Sequence, residues 1–497
     1  MFKNFPGYKV LEKIQKNKSH KRERKLPLNA IKLIFIVAIT SVIALLPTES
    51  FGIEGLTVVH QRIISMFVFA ALMWLTEAMP SWVTSMVVVT IMLFTVSTSA
   101  FSFLRPEGGA GLIPFKNIMA CFANPTIMLF IGGFVLAIGL TKVKLDVALA
   151  RVLLKPFGTR SEVVLLGFIL VTAIFSAFVS NTATAAMMLA FLTPVLRSLP
   201  ADGKGRIALA LAIPVGANLG GMITPIGTPP NMIALDYLSS QGMGISFVDW
   251  TIKMAPFVIV LLVLSWLLLR ILFPFKQKHI KIEIEGDIKW NRHTWSVVAA
   301  FVITIFMWMF GTDLWGVDTN VVAMIPIAIF CATGILTRRD LEEINWSVLW
   351  MVAGGFALGV ALNYKDASSE SLSSLIVNTV PFNNFSPLVV MILAGVICFG
   401  FSNFISHSAA TSLLVPVLGV VAGGLGASLD NFGGPQAMLV GIAIASSVSM
   451  ILPISTPPNA IAHSTGFIEQ KDMMKVGIII GLMGLALGYA MLIFIGF

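Results

Sequence analysis

The 497-residue chain is 57% hydrophobic and only 11% charged, against about 25% charged residues in a soluble domain, which excludes an ordinary soluble fold. Its formal charge of +9 is concentrated in the N-terminal segment and a few loops, so it reports membrane topology and not a nucleic-acid surface. Cys121, Cys331 and Cys398 lie in or beside apolar runs at no metal-ligand spacing, which predicts buried thiols and no disulfide framework.

Residues 1–29 form a basic segment, with nine Lys/Arg in residues 1–27, including Lys21-Arg22-Glu23-Arg24-Lys25. The apolar run Ile31–Leu46 that follows ends in Leu-Pro-Thr-Glu and not in a small-residue cleavage site. It therefore reads as a retained first helix within 30–60, with a cytoplasmic N-terminus. Further apolar runs predict helices near 30–47, 61–79, 83–99, 126–141, 205–223, 252–273, 294–311, 318–336, 345–363, 435–452 and 473–496, most of spanning length at about 1.5 Å per residue. Two longer stretches, 161–197 and 385–419, carry small polar residues at their centres, Ser180-Asn181-Thr182 and Ser406-His407-Ser408. Each is either two spans or a hairpin returning to its own side.

Charge decides between these. With the N-terminus inside and both stretches re-entrant, Lys142, Lys144, Arg151, Lys155, Arg160, Arg197, Lys204, Arg206, Arg270, Arg338, Arg339, Lys471 and Lys475 fall inside, together with the basic link 275–292. Arg105, Lys116 and Lys365 stay outside. That is a positive-inside split. The predicted architecture is an all-α polytopic membrane protein of about eleven spans and two hairpins opening to opposite sides, with an external C-terminus in the plasma membrane.

The halves resemble each other. Gly132-Gly-Phe-Val-Leu-Ala-Ile-Gly-Leu140 matches Gly354-Gly-Phe-Ala-Leu-Gly-Val-Ala-Leu362, and Thr224-Pro-Ile-Gly-Thr-Pro-Pro-Asn231 returns as Leu452-Pro-Ile-Ser-Thr-Pro-Pro-Asn459. Five spans plus a hairpin in each copy force the second copy upside down. The expected units are an inverted repeat at 61–274 (hairpin 161–197, broken helix 205–240), a cytoplasmic linker at 275–292, and a second repeat at 293–497 (hairpin 385–419, broken helix 435–465). A Pro-Pro pair cannot continue a helix, because each ring lacks an N–H and clashes with the preceding turn. Helices broken at matching places in two halves point to a transporter's binding site near the midplane. Helix N-termini there suit a carboxylate, and unwound carbonyls suit a small cation such as Na⁺.

These tips and broken helices, with their second copies and the hairpin topology, resemble the divalent-anion/sodium symporter (DASS) family over nearly the whole chain from residue 30. The resemblance implies transport of di- and tricarboxylates by homodimers through an elevator motion, with no cofactor beyond Na⁺. It implies that Ser180, Asn181, Thr182 and Thr228 contact one substrate carboxylate, and that Ser406, Ser408, Thr456 and Pro457 contact the other. It places a first sodium site at Ser176, Ser180, Asn181 and Gly227, and a second at Ser402, Ile405, position 407 and Ser455.

Position 407 departs from the family: the symporters carry Asn, this chain carries His407. Imidazole is a poor ligand for a hard cation. Three readings stand: a permanent substitute for Na⁺, a neutral hydrogen-bonding lining residue, or a proton-coupling site. The departure inclines the expectation towards sodium-independent exchange of 2-oxoglutarate, succinate, malate or fumarate, with sodium-coupled symport as the alternative.

Other polar residues read as structural. Glu77 reads as a helix-end residue, Asp236 and Lys253 as pairing or snorkelling groups, and His463 as lying outside the pocket. A Ser406–His407 enzyme is disfavoured, since chain neighbours rarely face each other and no third orienting carboxylate is evident. ATP-driven transport lacks its G-x-x-x-x-G-K-[ST] loop. A channel or an oxyanion exporter fits the paired Thr-Pro-Pro-Asn motifs less well than a carrier does.

Overall fold

In the computed structural model, residues 26–200, 203–280, 290–367 and 369–497 are described; the basic segment up to residue 25 and linker residues 281–289 lie outside them. The described chain is helical, with no strand and two isolated bridges, Ser97 to Ile113 and Arg160 to His279. Among the described residues, nine helical segments are long and apolar enough to cross a membrane.

A leading helix α1 (Leu26–Leu45) packs on α2 (Val58–Thr76), where the Gln61 amide donates to Ile43 O at 2.8 Å. Then follow α3 (Ser81–Thr95), the short α4 (Phe115–Ala120), α5 (Pro125–Lys142) and the short α6 (Leu145–Leu154). The first long polar-centred stretch is a helical pair, α7 (Ser161–Phe178) and α8 (Asn181–Ser198). The first broken helix is α9 (Gly205–Gly220) with α10 (Pro229–Ser240), and α11 (Phe247–Leu272) completes this half.

The second half repeats the order. It has α12 (Arg292–Trp315), α13 (Thr319–Val322) with α14 (Met324–Ala332), the short α15 (Arg338–Leu341), α16 (Trp346–Asn363) and the short α17 (Leu372–Thr379). The pair α18 (Pro387–Phe404) and α19 (His407–Leu425) follows, then α20 (Gly434–Ser447) with α21 (Pro457–Ser464), and α22 (Gln470–Phe494). The stretch expected as one span at 318–336 is thus divided at Ala323 and ends at Ala332.

Packing between the halves is reciprocal. Half-helix α10 lies against α19 and α20, while its counterpart α21 lies against α8 and α9. Likewise α3 packs on α16, and α13 and α14 pack on α5. The repeated Gly-Gly-Phe segments gain a physical reason here. A Cβ on Gly132 would stand 2.5 Å from Ala323 O, and one on Gly354 would stand 2.4 Å from the Ser85 Cβ. Each glycine admits a helix of the other half. Within the first half, α9 approaches α7 closely enough that a Cβ on Gly220 would meet the Ala173 Cα at 2.3 Å.

Candidate functional site

Four helices begin around one cavity: α8, α10, α19 and α21. The chain is extended at Val179 and at Ile405, where α7 and α18 end. Ser180 then caps α8, its Oγ accepting from the Ala183 N–H at 3.3 Å, and Ser406 caps α19, accepting from the Ala409 N–H at 3.2 Å. The broken helices restart through Thr228 and Thr456, which share one extended conformation (φ −145° and −138°). Prolines follow at the first helical positions, where the missing N–H costs nothing.

Unwound backbone inside a membrane protein must find donors for its carbonyls. Asn231 and Asn459 supply them. The Asn231 Nδ2 donates to Thr224 O at 2.8 Å and Gly221 O at 3.1 Å. The Asn459 Nδ2 donates to Met450 O at 2.8 Å and Leu452 O at 3.1 Å. The asparagine of each Pro-Pro-Asn motif therefore staples its own break. The sequence reading gave these two residues no such role.

The cavity measures about 240 Å³, on the scale of a small metabolite and below the roughly 300–1,000 Å³ of drug-sized pockets. Ser180, Asn181, Thr182, Gly227 and Thr228 line it from the first half; Ser406, His407, Ser408, Ser455, Thr456 and Pro457 line it from the second. Trp82, Phe130, Phe134, Phe178 and Met351 form its apolar wall. Among the described residues that line it, none is Lys, Arg, Asp or Glu. Helix N-termini, hydroxyls, side-chain amides and the His407 imidazole are the groups left to hold an anion. All eight expected substrate residues meet here. Ser176, Ser402 and Ile405 are buried behind the lining.

The two expected cation sites differ. At the first, one terminal atom of the Asn181 amide faces Gly227 O at 3.0 Å, Ala217 O at 3.3 Å and Ser176 Oγ at 2.6 Å. With its nitrogen inward, the amide donates into this ring of acceptors. With its oxygen inward, the Ser176 Oγ donates to it at 2.6 Å while the Gly227 and Ala217 carbonyls face it, a set of oxygens that would suit Na⁺. At the second, the matched residue is His407, and its Nε2 lies 2.5 Å from Ser449 O, so Nε2 carries a hydrogen and donates it. Ser402 Oγ donates to Ser446 Oγ at 3.2 Å, and Ser455 Oγ donates to Asn403 O at 3.0 Å. The His407 N–H is directed at the Ser449 carbonyl, and an imidazole offers a hard cation no oxygen.

Ser81, Asn218, Asn345 and Ser347 also line this cavity, residues the sequence reading did not single out, while Glu77, Asp236, Lys253 and His463 lie outside it. Glu77 ends α2 in a left-handed conformation. Asp236 accepts from the Thr126 Oγ1 at 2.8 Å, and Lys253 sits over the Phe497 ring at 5.0 Å. The His463 ring Nδ1 lies 3.1 Å from Ile468 O. Cys121 and Cys398 are buried, but Cys331 is exposed, on the apolar outer face of α14. A larger cavity of about 1,180 Å³, lined by Asn124, Thr126, Asp236 and Asn363 among others, shares Met232 with the smaller one and holds none of the expected site residues.

Apolar helices of spanning length around a buried polar cavity, with two broken helices restarting at its wall, define an integral membrane transporter and not an enzyme. The profile of the sodium:sulfate symporter transmembrane region matches residues 28–496, and the chain belongs to that family, the divalent-anion/sodium symporters. An uncharacterized transporter of Haemophilus influenzae is 30% identical over 469 residues, 91% of this chain and 94% of that one. The sodium-dependent dicarboxylate transporter SdcS of Staphylococcus aureus is 27% identical over 497 residues, covering 92% of this chain and 90% of its own length. Among solved structures, the YdaH transporter of Alcanivorax borkumensis superposes with a TM-score of 0.51 at 14% identity, over 88% of this chain and 99% of that one, a likeness of fold alone.

Proposed function

We propose that this protein carries C4 and C5 dicarboxylates (2-oxoglutarate, succinate, malate and fumarate) across the cell membrane, by exchange of one for another. The observation that carries this reading is the pair of matched hydroxyl clusters facing one cavity. Ser180, Asn181, Thr182 and Thr228 hold one carboxylate; Ser406, Ser408, Thr456 and Pro457 hold the other. Ser180 and Ser406 accept from backbone N–H groups, which leaves their hydroxyl hydrogens for the anion. A relative named as a dicarboxylate transporter over nine-tenths of its length supports the substrate class.

In this reading 61–274 and 293–497 are inverted repeats, the N-terminus is cytoplasmic and the C-terminus external. The hairpins and broken helices move as one body against a homodimeric frame, in an elevator cycle. Repeated element order and reciprocal packing support the repeat. Exchange is supported by His407, whose N–H stands against Ser449 O where the first half has an amide. In this reading the empty carrier does not cross, so each return step needs a bound substrate, which is obligate exchange.

A second reading, sodium-coupled symport, is favoured by the Ser176–Asn181–Ala217–Gly227 oxygens and by the sodium dependence in the name of SdcS. In it Ser176, Ser180, Asn181 and Gly227 would hold Na⁺, which would supply positive charge beside the carboxylate. Labelled succinate and 2-oxoglutarate uptake into proteoliposomes separates the readings. Exchange predicts uptake only into vesicles preloaded with dicarboxylate, indifferent to sodium. Symport predicts uptake into empty vesicles, driven by a sodium gradient. In either mode Asn181→Ala and Thr228→Ala abolish uptake while the protein stays folded; normal uptake by both variants overturns the site.

A further inference from the structure

The polarity of the Thr456 hydroxyl is set by a chain of hydrogen bonds that begins in the unwound backbone and crosses between the halves. The Asn459 amide must turn its Nδ2 towards Met450 O and Leu452 O, at 2.8 and 3.1 Å. Its Oδ1 is thereby turned to Asn218, on α9 of the other half, and accepts from the Asn218 Nδ2 at 3.1 Å. The same Nδ2 donates its second hydrogen to Thr456 Oγ1 at 3.2 Å. Thr456 Oγ1 also accepts from the Asn459 N–H at 3.2 Å. A hydroxyl oxygen has two acceptor sites and one hydrogen. Both acceptor sites are filled, and no described residue accepts the hydrogen.

We infer that Asn218 is a positioning residue that fixes the Thr456 hydroxyl as an obligate donor into the cavity, committing that end of the site to an ionised carboxylate. Both residues line the cavity, and Asn218 is 1% exposed. The arrangement leaves the Asn218 Oδ1 buried without a partner, a cost of its own. Turning the amide over would set oxygen against the Asn459 Oδ1, so the relay holds it in place. The first half has no such lock. Thr228 makes no capping bond, and Ser446, the counterpart of Asn218, gives its hydroxyl to His407 O at 2.9 Å. One end of the cavity is therefore a fixed donor, and the other adapts to substrates of different length or substituent.

This inference rests on the dicarboxylate reading and is tested with it. Succinate uptake is measured for the full-length protein, Asn218→Leu, Thr456→Val and the double variant. Asn218→Leu should raise KM about tenfold to a hundredfold, the worth of one hydrogen bond to a charged group, with Vmax little changed. The double variant should be no worse than Thr456→Val alone, because both changes remove one donor. Asn218→Ala, which removes the donor without burying a charge, should show the same KM rise and guards against a Leu variant that does not fold. An unchanged KM in the folded variants, or losses that multiply in the double variant, overturns the role of Asn218 alone. A wild-type protein that takes up no dicarboxylate overturns the functional reading and this inference together.

Discussion

Asp146 lies on the short helix α6, outside the spanning segments, and is 7% exposed. Burial pushes its carboxyl up to about 6, against hydrogen bonds from the Val147 N–H and Thr141 that favour the charged form. The folded protein thus holds a proton that the unfolded chain releases near the ordinary pKa of about 3.9. Stability then falls as pH rises from about 4 to about 6 and stays lowered above that, by up to roughly 3 kcal/mol. Asp146→Asn should raise the Tm of the purified protein at pH 7.5 and change it little at pH 4. An equal gain at both values breaks the link to ionisation. The sequence shows residues of the other kind more readily. Ser180, Asn181, Ser406 and His407 stand out as polar groups inside apolar runs, at the junctions of two helical pairs. Asn218 is just as polar within its run, but its importance lies in Asn459 and Thr456, some 240 positions away. Only the folded chain brings those together.

At the scale of elements, the helix breaks and the polar-centred helical pairs were legible because Pro-Pro pairs and small polar residues interrupt long apolar runs. The ends of the broken helices were not. The helices expected to reach 223 and 452 stop at Gly220 and Ser447, since the turns beyond them give their carbonyls to Asn231 and Asn459. The short helices α4, α6, α15 and α17 escaped notice because so few turns carry no readable period. What the repeated glycines signify is the close approach of helices from opposite halves. Gly132→Ala and Gly354→Ala each drive a methyl group into a neighbour, with Ala323 O and the Ser85 Cβ both inside 3 Å. Each should cost about 1–3 kcal/mol, read as a lower Tm. Gly359→Ala, in α16 beside Gly354, meets nothing within 4 Å and should leave the Tm unchanged or slightly higher, because alanine is the better helix former. Equal Tm values for all three would mean that the halves do not pack through these glycines.

For the molecule as a whole, the two halves build one cavity from one plan and differ where coupling is decided. An amide at 181 presents either its nitrogen or its oxygen, so the first half accommodates a ring of acceptors with or without a cation. The imidazole at 407 presents an N–H to Ser449 O and offers the ion no oxygen. If His407 stands in for a cation, the second half is complete without sodium, and the loaded carrier crosses on substrate alone. Replacing it by the residue the symporters carry should undo that arrangement. His407→Asn is expected to slow dicarboxylate exchange between preloaded vesicles and to make the remaining flux respond to sodium, where the exchange reading expects wild-type flux to be the same in sodium and potassium. The amide is smaller than the imidazole and leaves room for an ion beside the Ser449 carbonyl, with an oxygen to offer it. A His407→Asn protein that exchanges at the wild-type rate and stays blind to sodium would show that His407 only lines the wall. Coupling would then have to be sought at Asn181.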